Sequence, residues 1–168
     1  DFAKMLGVDQ IATHMGFLPE NPTDPQYAPV VAAIKLVANH CKKNGQRLLF
    51  ETGQETPVTI LRVIEDSGCD NLGVNLDPAN LVMVTGDDPV GAVHNLQKYI
   101  VHTHAKDGVQ NFFEDPEIVY GLKKRPVDVI VTADSFDEVP LGEGSVPWPE
   151  YLKALDDIGY KGFLTIER

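Results

Sequence analysis

The 168-residue chain is short of positive charge: 14 Lys and Arg stand against 25 Asp and Glu, for a net charge of −11. A nucleic-acid partner is disfavoured, because phosphate-backbone affinity draws mainly on Lys and Arg. The two cysteines, Cys41 and Cys69, have neither metal-type nor disulfide-type spacing, and read as thiols of a reducing compartment. No apolar run approaches the ~20 residues of a membrane-spanning helix, and no secretory leader is visible. No G-x-G-x-x-G or G-x-x-x-x-G-K-[ST] loop follows a strand-like run, which weakens dinucleotide and NTPase readings. What is present is ordinary globular composition, 43% hydrophobic and 23% charged. The expectation is a cytoplasmic domain over 1–168 with no membrane partner.

Five stretches have buried-strand character: 10–17, 46–52, 71–77, 99–105 and 161–167. Several are nearly continuous apolar runs, as in parallel strands covered on both faces. Between them lie helix-like segments with a shared start. Asp24-Pro25, Thr56-Pro57 and Asp88-Pro89, spaced 32 residues apart, each place a capping oxygen before a proline that has no N–H to lose. Gly45 and Gly68 stop the first two helices, and a weaker stop falls near Gln97. Val30, Ile34, Val37 and Cys41 form an apolar stripe on the first helix. Trp148, Leu152, Leu155 and Ile158 do so on the last, which ends at Gly159.

Strand and helix alternating at a regular period predict βαβ units and a parallel sheet. Five strands are too few for a whole (β/α)₈ barrel, which typically needs ~250 residues. The chain opens on DFAKMLGV and stops on GFLTIER, so a truncated barrel is expected. Segment 106–147 breaks the period. Its aromatic and apolar content predicts an ordered lid, a substrate-contacting excursion or a subunit contact at about 108–140, rather than disorder.

The chemistry-bearing residues gather at the predicted C-terminal strand ends, where parallel α/β folds bind ligands. His14, Glu51, Asp77, the pair His102 and His104, and Glu167 all sit there. Inward-facing carboxylates repel one another and lose hydration unless a cation neutralises them. Three carboxylates with an imidazole suit one divalent ion, Mn²⁺ or Mg²⁺ first, then Co²⁺ or Zn²⁺. Around them stand candidate substrate contacts: His14, Glu55, Asn80, His102, Lys106 and Asp107. Each has a plainer alternative, such as a hydrogen-bonded core histidine, a turn cap or a solvated lysine. Lys106 offers a point charge for a phosphate or carboxylate. In LGEGSVPW, 141–148, the glycines around Glu143 make either a tight turn or a loop edging the mouth of the site.

FETGQET, GVNLDPANL, VHTHAKD, LGEGSVPWPEYLKALDDIGYKG and LTIER, in this order and spacing, resemble the sugar phosphate isomerase/epimerase superfamily, the xylose isomerase-like TIM barrels. The resemblance implies a (β/α)₈ barrel of which this chain covers about strands 4–8. It further implies a D-tagatose 3-epimerase-like metal site of Glu51, Asp77, His104 and Glu167, with His104 chosen over His102 as the second histidine of the His-x-His motif. The substrate shell departs from that branch. Pro57 stands where a second glutamate is expected, Asn80 where a histidine is, and Gln110 where an arginine is.

The resemblance therefore points to a sugar, sugar phosphate or polyol isomerase or epimerase, acting on a small molecule. Glu51 and Glu167 would move a proton beside a carbonyl through a metal-stabilised enediolate. Two other readings stay open: a metal-dependent hydrolase of the endonuclease IV-like branch, and a non-catalytic carbohydrate-binding barrel. A homo-oligomer is also open.

Overall fold

Proline placement sets the helix starts. In the computed structural model, which describes residues 1–126 and 133–168, the elements run in a simple order. A short helix α1 (Phe2–Met5), strand β1 (Gln10–Thr13), helix α2 (Tyr27–Lys43), strand β2 (Arg47–Glu51) and helix α3 (Pro57–Ser67) come first. Strand β3 (Leu72–Leu76) leads into the single turn α4 (Pro78–Asn80) and a π-helical turn, Leu81–Thr85. Then follow α5 (Pro89–Leu96), β4 (Ile100–Ala105), β5 (Asp107–Gln110), α6 (Pro116–Val119), β6 (Phe136–Val139), α7 (Trp148–Asp157) and β7 (Leu164–Ile166).

Thr56 caps α3 by accepting from Thr59 N, and Asp88 caps α5 by accepting from Val90 N and Gly91 N, each just before proline. The third expected start shifts. Asp24 accepts from Gln26 N in a turn, and α2 begins at Tyr27 behind Gln26, which makes no side-chain cap. Gly68 closes α3 at φ 63°, a left-handed conformation that costs glycine little.

Strands β1, β2, β3, β4 and β7 form one parallel sheet in that spatial order. The curled sheet, flanked by helices, is part of a (β/α)₈ architecture, as expected. The first and last strands are shorter than the sequence suggests, Gln10–Thr13 and Leu164–Ile166. β3 lies mid-sheet and every residue of it is buried. Gly73 is required there: a Cβ would come within 2.7 Å of Val101 Cγ2 and 2.8 Å of Leu49 Cδ2.

The core lies between sheet and helices, with Ile34, Ala38, Phe50, Ile60, Val63, Val74, Leu76, Val93, Leu96, Tyr151 and Leu155 among its buried members. Complete burial of one such aliphatic or aromatic side chain contributes roughly 1.5–3 kcal/mol. Two expected stripe residues lie outside it. Val37 and Leu152 are 49% and 43% exposed, while Ala38 and Tyr151 face inward. Tyr151 turns inward, where its hydroxyl meets Thr103 Oγ1 at 2.5 Å. A buried tyrosine needs that partner.

The excursion after β4 is ordered at both feet. β5 and β6 pair antiparallel, with Gly108 opposite Glu138 and Gln110 opposite Phe136. Part of the expected 108–140 excursion, residues 127–132, lies outside the described residues.

Candidate metal centre

Four neighbouring strands deliver four ligand-type side chains to one point. Glu51 ends β2, Asp77 follows β3, His104 lies near the end of β4, and Glu167 follows β7. One donor atom from each lies within 4.8 Å of all the others. The parallel pairing is staggered: Glu51 pairs with Asn75 and His104 with Thr165, so the ligand lies two residues further along on the β3 and β7 sides, and the β3–β4 ladder shifts between Val74 and Asn75.

His104 Nδ1 is the hub. It lies 2.8 Å from Glu167 Oε2, 3.2 Å from Asp77 Oδ2 and 3.7 Å from Glu51 Oε1. Burial works against charge on this ring, but Asp77, Glu167 and Glu51 outweigh it and raise the imidazole pKa. Burial foremost raises that of Glu51, with Glu167 and Asp77 adding to it against His14 and His104. The other face of His104 is held too: Nε2 lies 3.1 Å from Asn75 Nδ2.

Asp77 is fully buried, and its oxygens have separate tasks. Oδ1 accepts from Asn80 N at 2.9 Å as the cap of α4, leaving Oδ2 for His104. Its backbone is clamped by Thr52, whose hydroxyl accepts from Asp77 N at 2.8 Å and donates to Asp77 O at 2.9 Å.

Lys106 is buried beside this group, with Nζ 3.1 Å from Glu167 Oε1, 3.1 Å from Glu138 Oε1 and 3.3 Å from Asn80 Oδ1. Burial opposes its charge, but Asp77, Glu138 and Glu167 prevail and its pKa is raised. A cleft of about 260 Å³ opens above, lined by His14, Glu51, Asn80, Lys106, Glu138 and Glu167 together with Met83, Val84, Val119, Tyr120 and Phe136. His14 Nε2 stands 4.0 Å from Glu51 Oε1, and its ring lies against Tyr120.

The remaining expected contacts sit elsewhere. His102 Nε2 pairs with Thr165 Oγ1 at 2.9 Å, and its ring packs edge-on to His104. Glu55 faces a neighbouring cleft of about 450 Å³ beside Leu18 and Gln54. Its Oε1 accepts from Leu18 N at 3.2 Å, and burial lifts its carboxyl from the ordinary 4.5 to about 8.

Asp107 requires a correction: its carboxylate turns into the 140s loop. It accepts from Gly108 N, Gly142 N, Val146 N and Trp148 Nε1 at 2.8–3.1 Å. Those donors leave it no free direction toward a substrate. The tight-turn alternative for 141–148 is thus the one built around Asp107, with Glu143 N donating to Pro140 O.

Sequence reasoning missed Glu138, Tyr120, Phe136 and Met83 as cleft residues, and Asn75 as the support of His104. Only Asn75 carried a signal, since it shares a strand face with Asp77. The others reach the cleft through the excursion and the π-helical turn, which have no repeating pattern.

The description xylose isomerase-like TIM barrel belongs to a family model that matches residues 1–168. The crystal structure of a xylose isomerase domain protein from Planctomyces limnophilus aligns with a TM-score of 0.82 at 34% identity, over 100% of this chain and 55% of that one. An L-ribulose 3-epimerase structure aligns with a TM-score of 0.68 at 23% identity, over 98% of this chain and 50% of that one. Inosose dehydratase from Lacticaseibacillus casei is 22% identical over 149 residues, 86% of this chain and 48% of that protein. The chain thus spans about half the length of these relatives.

Proposed function

Because this chain belongs to the xylose isomerase-like TIM barrel family, we propose that it carries the metal site of a sugar or polyol isomerase or epimerase. The observation behind this reading is the convergence of Glu51, Asp77, His104 and Glu167 within 4.8 Å. Three carboxylates packed around one imidazole fit a divalent cation, Mn²⁺ or Mg²⁺ before Co²⁺ or Zn²⁺, because a dication offsets their repulsion.

The support of His104 fits as well. Asn75 Oδ1 is buried without a partner. A half-turn of the amide brings that oxygen to His104 Nε2, where it accepts Nε2–H. With Nε2 carrying the proton, Nδ1 would be free to give its lone pair to an ion held among the three carboxylates.

A bound dication supplies electrophilic polarisation of a substrate carbonyl. The chain's own groups do the rest. Glu51 and Glu167 enter the cleft from strands separated by β3 and β4. One, entering as the carboxylate, removes the proton beside the carbonyl and keeps it; the other, entering protonated, gives its own proton to the same carbon for epimerisation or to the neighbouring carbon for isomerisation. Met83, Val84, Val119 and Phe136 give the cleft an apolar side against which the C–H face of a substrate can lie.

Elimination of water is a second reading, favoured by the likeness to inosose dehydratase. It shares the proton-removal step and differs in what leaves. A hydrolase acting on nucleic acid is opposed by the net charge of −11 and by a single four-ligand group among the described residues.

The test is a product screen of the Mn²⁺-loaded protein in ²H₂O against ketoses and inososes. Deuterium at the carbon beside the carbonyl, lost in Glu51→Gln and Glu167→Gln, is expected. Turnover surviving in either variant overturns the two-glutamate assignment.

A further inference from the structure

Lys106 stands in the cleft where it could receive an anionic group, but its capacity is already used. An ammonium has three N–H donors and no acceptor. Here three acceptors surround Nζ: Glu167 Oε1 at 3.1 Å, Glu138 Oε1 at 3.1 Å and Asn80 Oδ1 at 3.3 Å. Among the described residues lining the cleft, Lys106 is the only Lys or Arg, while Glu51, Glu138 and Glu167 are all acidic.

Of the three acceptors, Glu138 is the one outside the ligand group and its supporting turn. It arrives on β6, and the ribbon that carries it is seated tightly. Its partner Gly108 lies so close to Met83 that a Cβ there would overlap the thioether sulfur. Glu138 itself is 37% exposed at the side chain against 10% for Lys106, so its carboxylate borders the open part of the cleft.

We propose that Glu138 is a specificity-determining residue: by occupying Lys106 it fits the cleft to uncharged polyhydroxy carbonyl compounds and excludes sugar phosphates and sugar acids. An entering phosphate or carboxylate meets two carboxylates and finds no free N–H on the ammonium. It must break the Lys106–Glu138 pair and set its own negative charge beside the freed Glu138 carboxylate, which is costly. An uncharged polyol meets no such cost. Its hydroxyls donate to Glu138 and the Asn80 carbonyl, and its C–H faces lie on Met83, Val84, Val119 and Phe136. The inference rests on reading Glu51, Asp77, His104 and Glu167 as an ion site.

The experiment uses D-gluconate, a sugar acid, as the probe in isothermal titration of the Mn²⁺-loaded protein. Glu138→Gln is expected to bind gluconate at least tenfold more tightly than the unsubstituted protein. Adding Lys106→Met to Glu138→Gln is expected to abolish that gain. Glu138→Thr, checked for folding by circular dichroism, provides the same gain by a different side chain if charge is the determinant. Equal gluconate affinity with and without Glu138, including no binding by either, overturns the proposal. A preceding Mn²⁺ titration separates the two levels: failure to bind Mn²⁺ removes the ion-site reading, whereas Mn²⁺ binding with unchanged gluconate affinity removes only the role of Glu138.

Discussion

Nδ1 of His104 lies 2.8 Å from Oε2 of Glu167, across the pairing of β4 with β7. The imidazole therefore points its nitrogen into the carboxylates rather than away from them. Asp77 is the fully buried carboxylate of the group, whereas the Glu51 and Glu167 side chains are 16% and 38% exposed, so its loss is expected to matter most for ion binding. Asp77→Asn is expected to lower Mn²⁺ affinity by roughly 100-fold or more, beyond the ~10–100-fold of a supporting residue. Isothermal titration should give one ion per chain before the substitution. Unchanged affinity after it removes Asp77 from the site.

Asn75 lies 3.1 Å from His104 Nε2 and would act on an ion through that ring. Asn75→Leu should reduce Mn²⁺ affinity by about 10–100-fold while leaving the fold intact. Circular dichroism and titration together check this. An affinity unchanged by the leucine shows that the amide does not set the tautomer.

Glu55 provides a pH signature separate from the ion. Its folded carboxyl titrates near 8 against an ordinary 4.5, because burial penalises the anion. The folded state therefore holds a proton that the unfolded chain has released over this range. The associated stability is fully present below about 4.5 and is lost as pH rises through about 8. Its slope is about −1.4 kcal/mol per pH unit between those limits. Denaturant unfolding across pH should show this fall, and Glu55→Gln should flatten it. Parallel pH profiles for both proteins contradict the assignment.

Asp107 organises the loop ahead of α7 rather than the cleft. Asp107→Ala leaves Val146 N, Gly142 N and Trp148 Nε1 without their acceptor, at a cost of roughly 3 kcal/mol or more. Burial alone would raise the Asp107 pKa, but those donors and Gly108 N outweigh it and lower the value. Its contribution is thus present above the ordinary 3.8 and disappears as pH falls through the depressed folded value. Gly144→Ala should destabilise the same loop, since a Cβ would strike the Asp107 carboxylate and approach Gly108 N to 2.6 Å. Chemical denaturation of both variants checks the pair.

The sequence carried the fold because βαβ units announce themselves locally. Thr56-Pro57 and Asp88-Pro89 mark helix starts by cap chemistry that needs no tertiary partner. Asp24-Pro25 looked identical but formed only a turn, and α2 starts instead at Tyr27, which is buried and donates to Asp66 Oδ2 at 2.6 Å. The convergence of Glu51, Asp77, His104 and Glu167 was legible because a parallel sheet carries its strand ends to one edge. Which way a side chain turns after its strand ends was not. Lys106 and Asp107 are adjacent, yet one enters the cleft and the other leaves it, a choice made by Glu138 on one side and Trp148 on the other. Both partners lie more than thirty residues away in the chain.

The Thr52 clamp on the Asp77 backbone has a mechanical consequence. Two hydrogen bonds, 2.8 and 2.9 Å long, tie the peptide of one carboxylate to the residue just after the other. Asp77 is therefore the anvil of the site, set by the spacing of two strands. Glu167, 38% exposed at its side chain, is held instead by side-chain contacts, His104 Nδ1 at 2.8 Å and Lys106 Nζ at 3.1 Å. A cation held here would meet the same fixed Asp77 backbone whatever its radius, so adjustment to ion size would fall to the side-chain contacts around it.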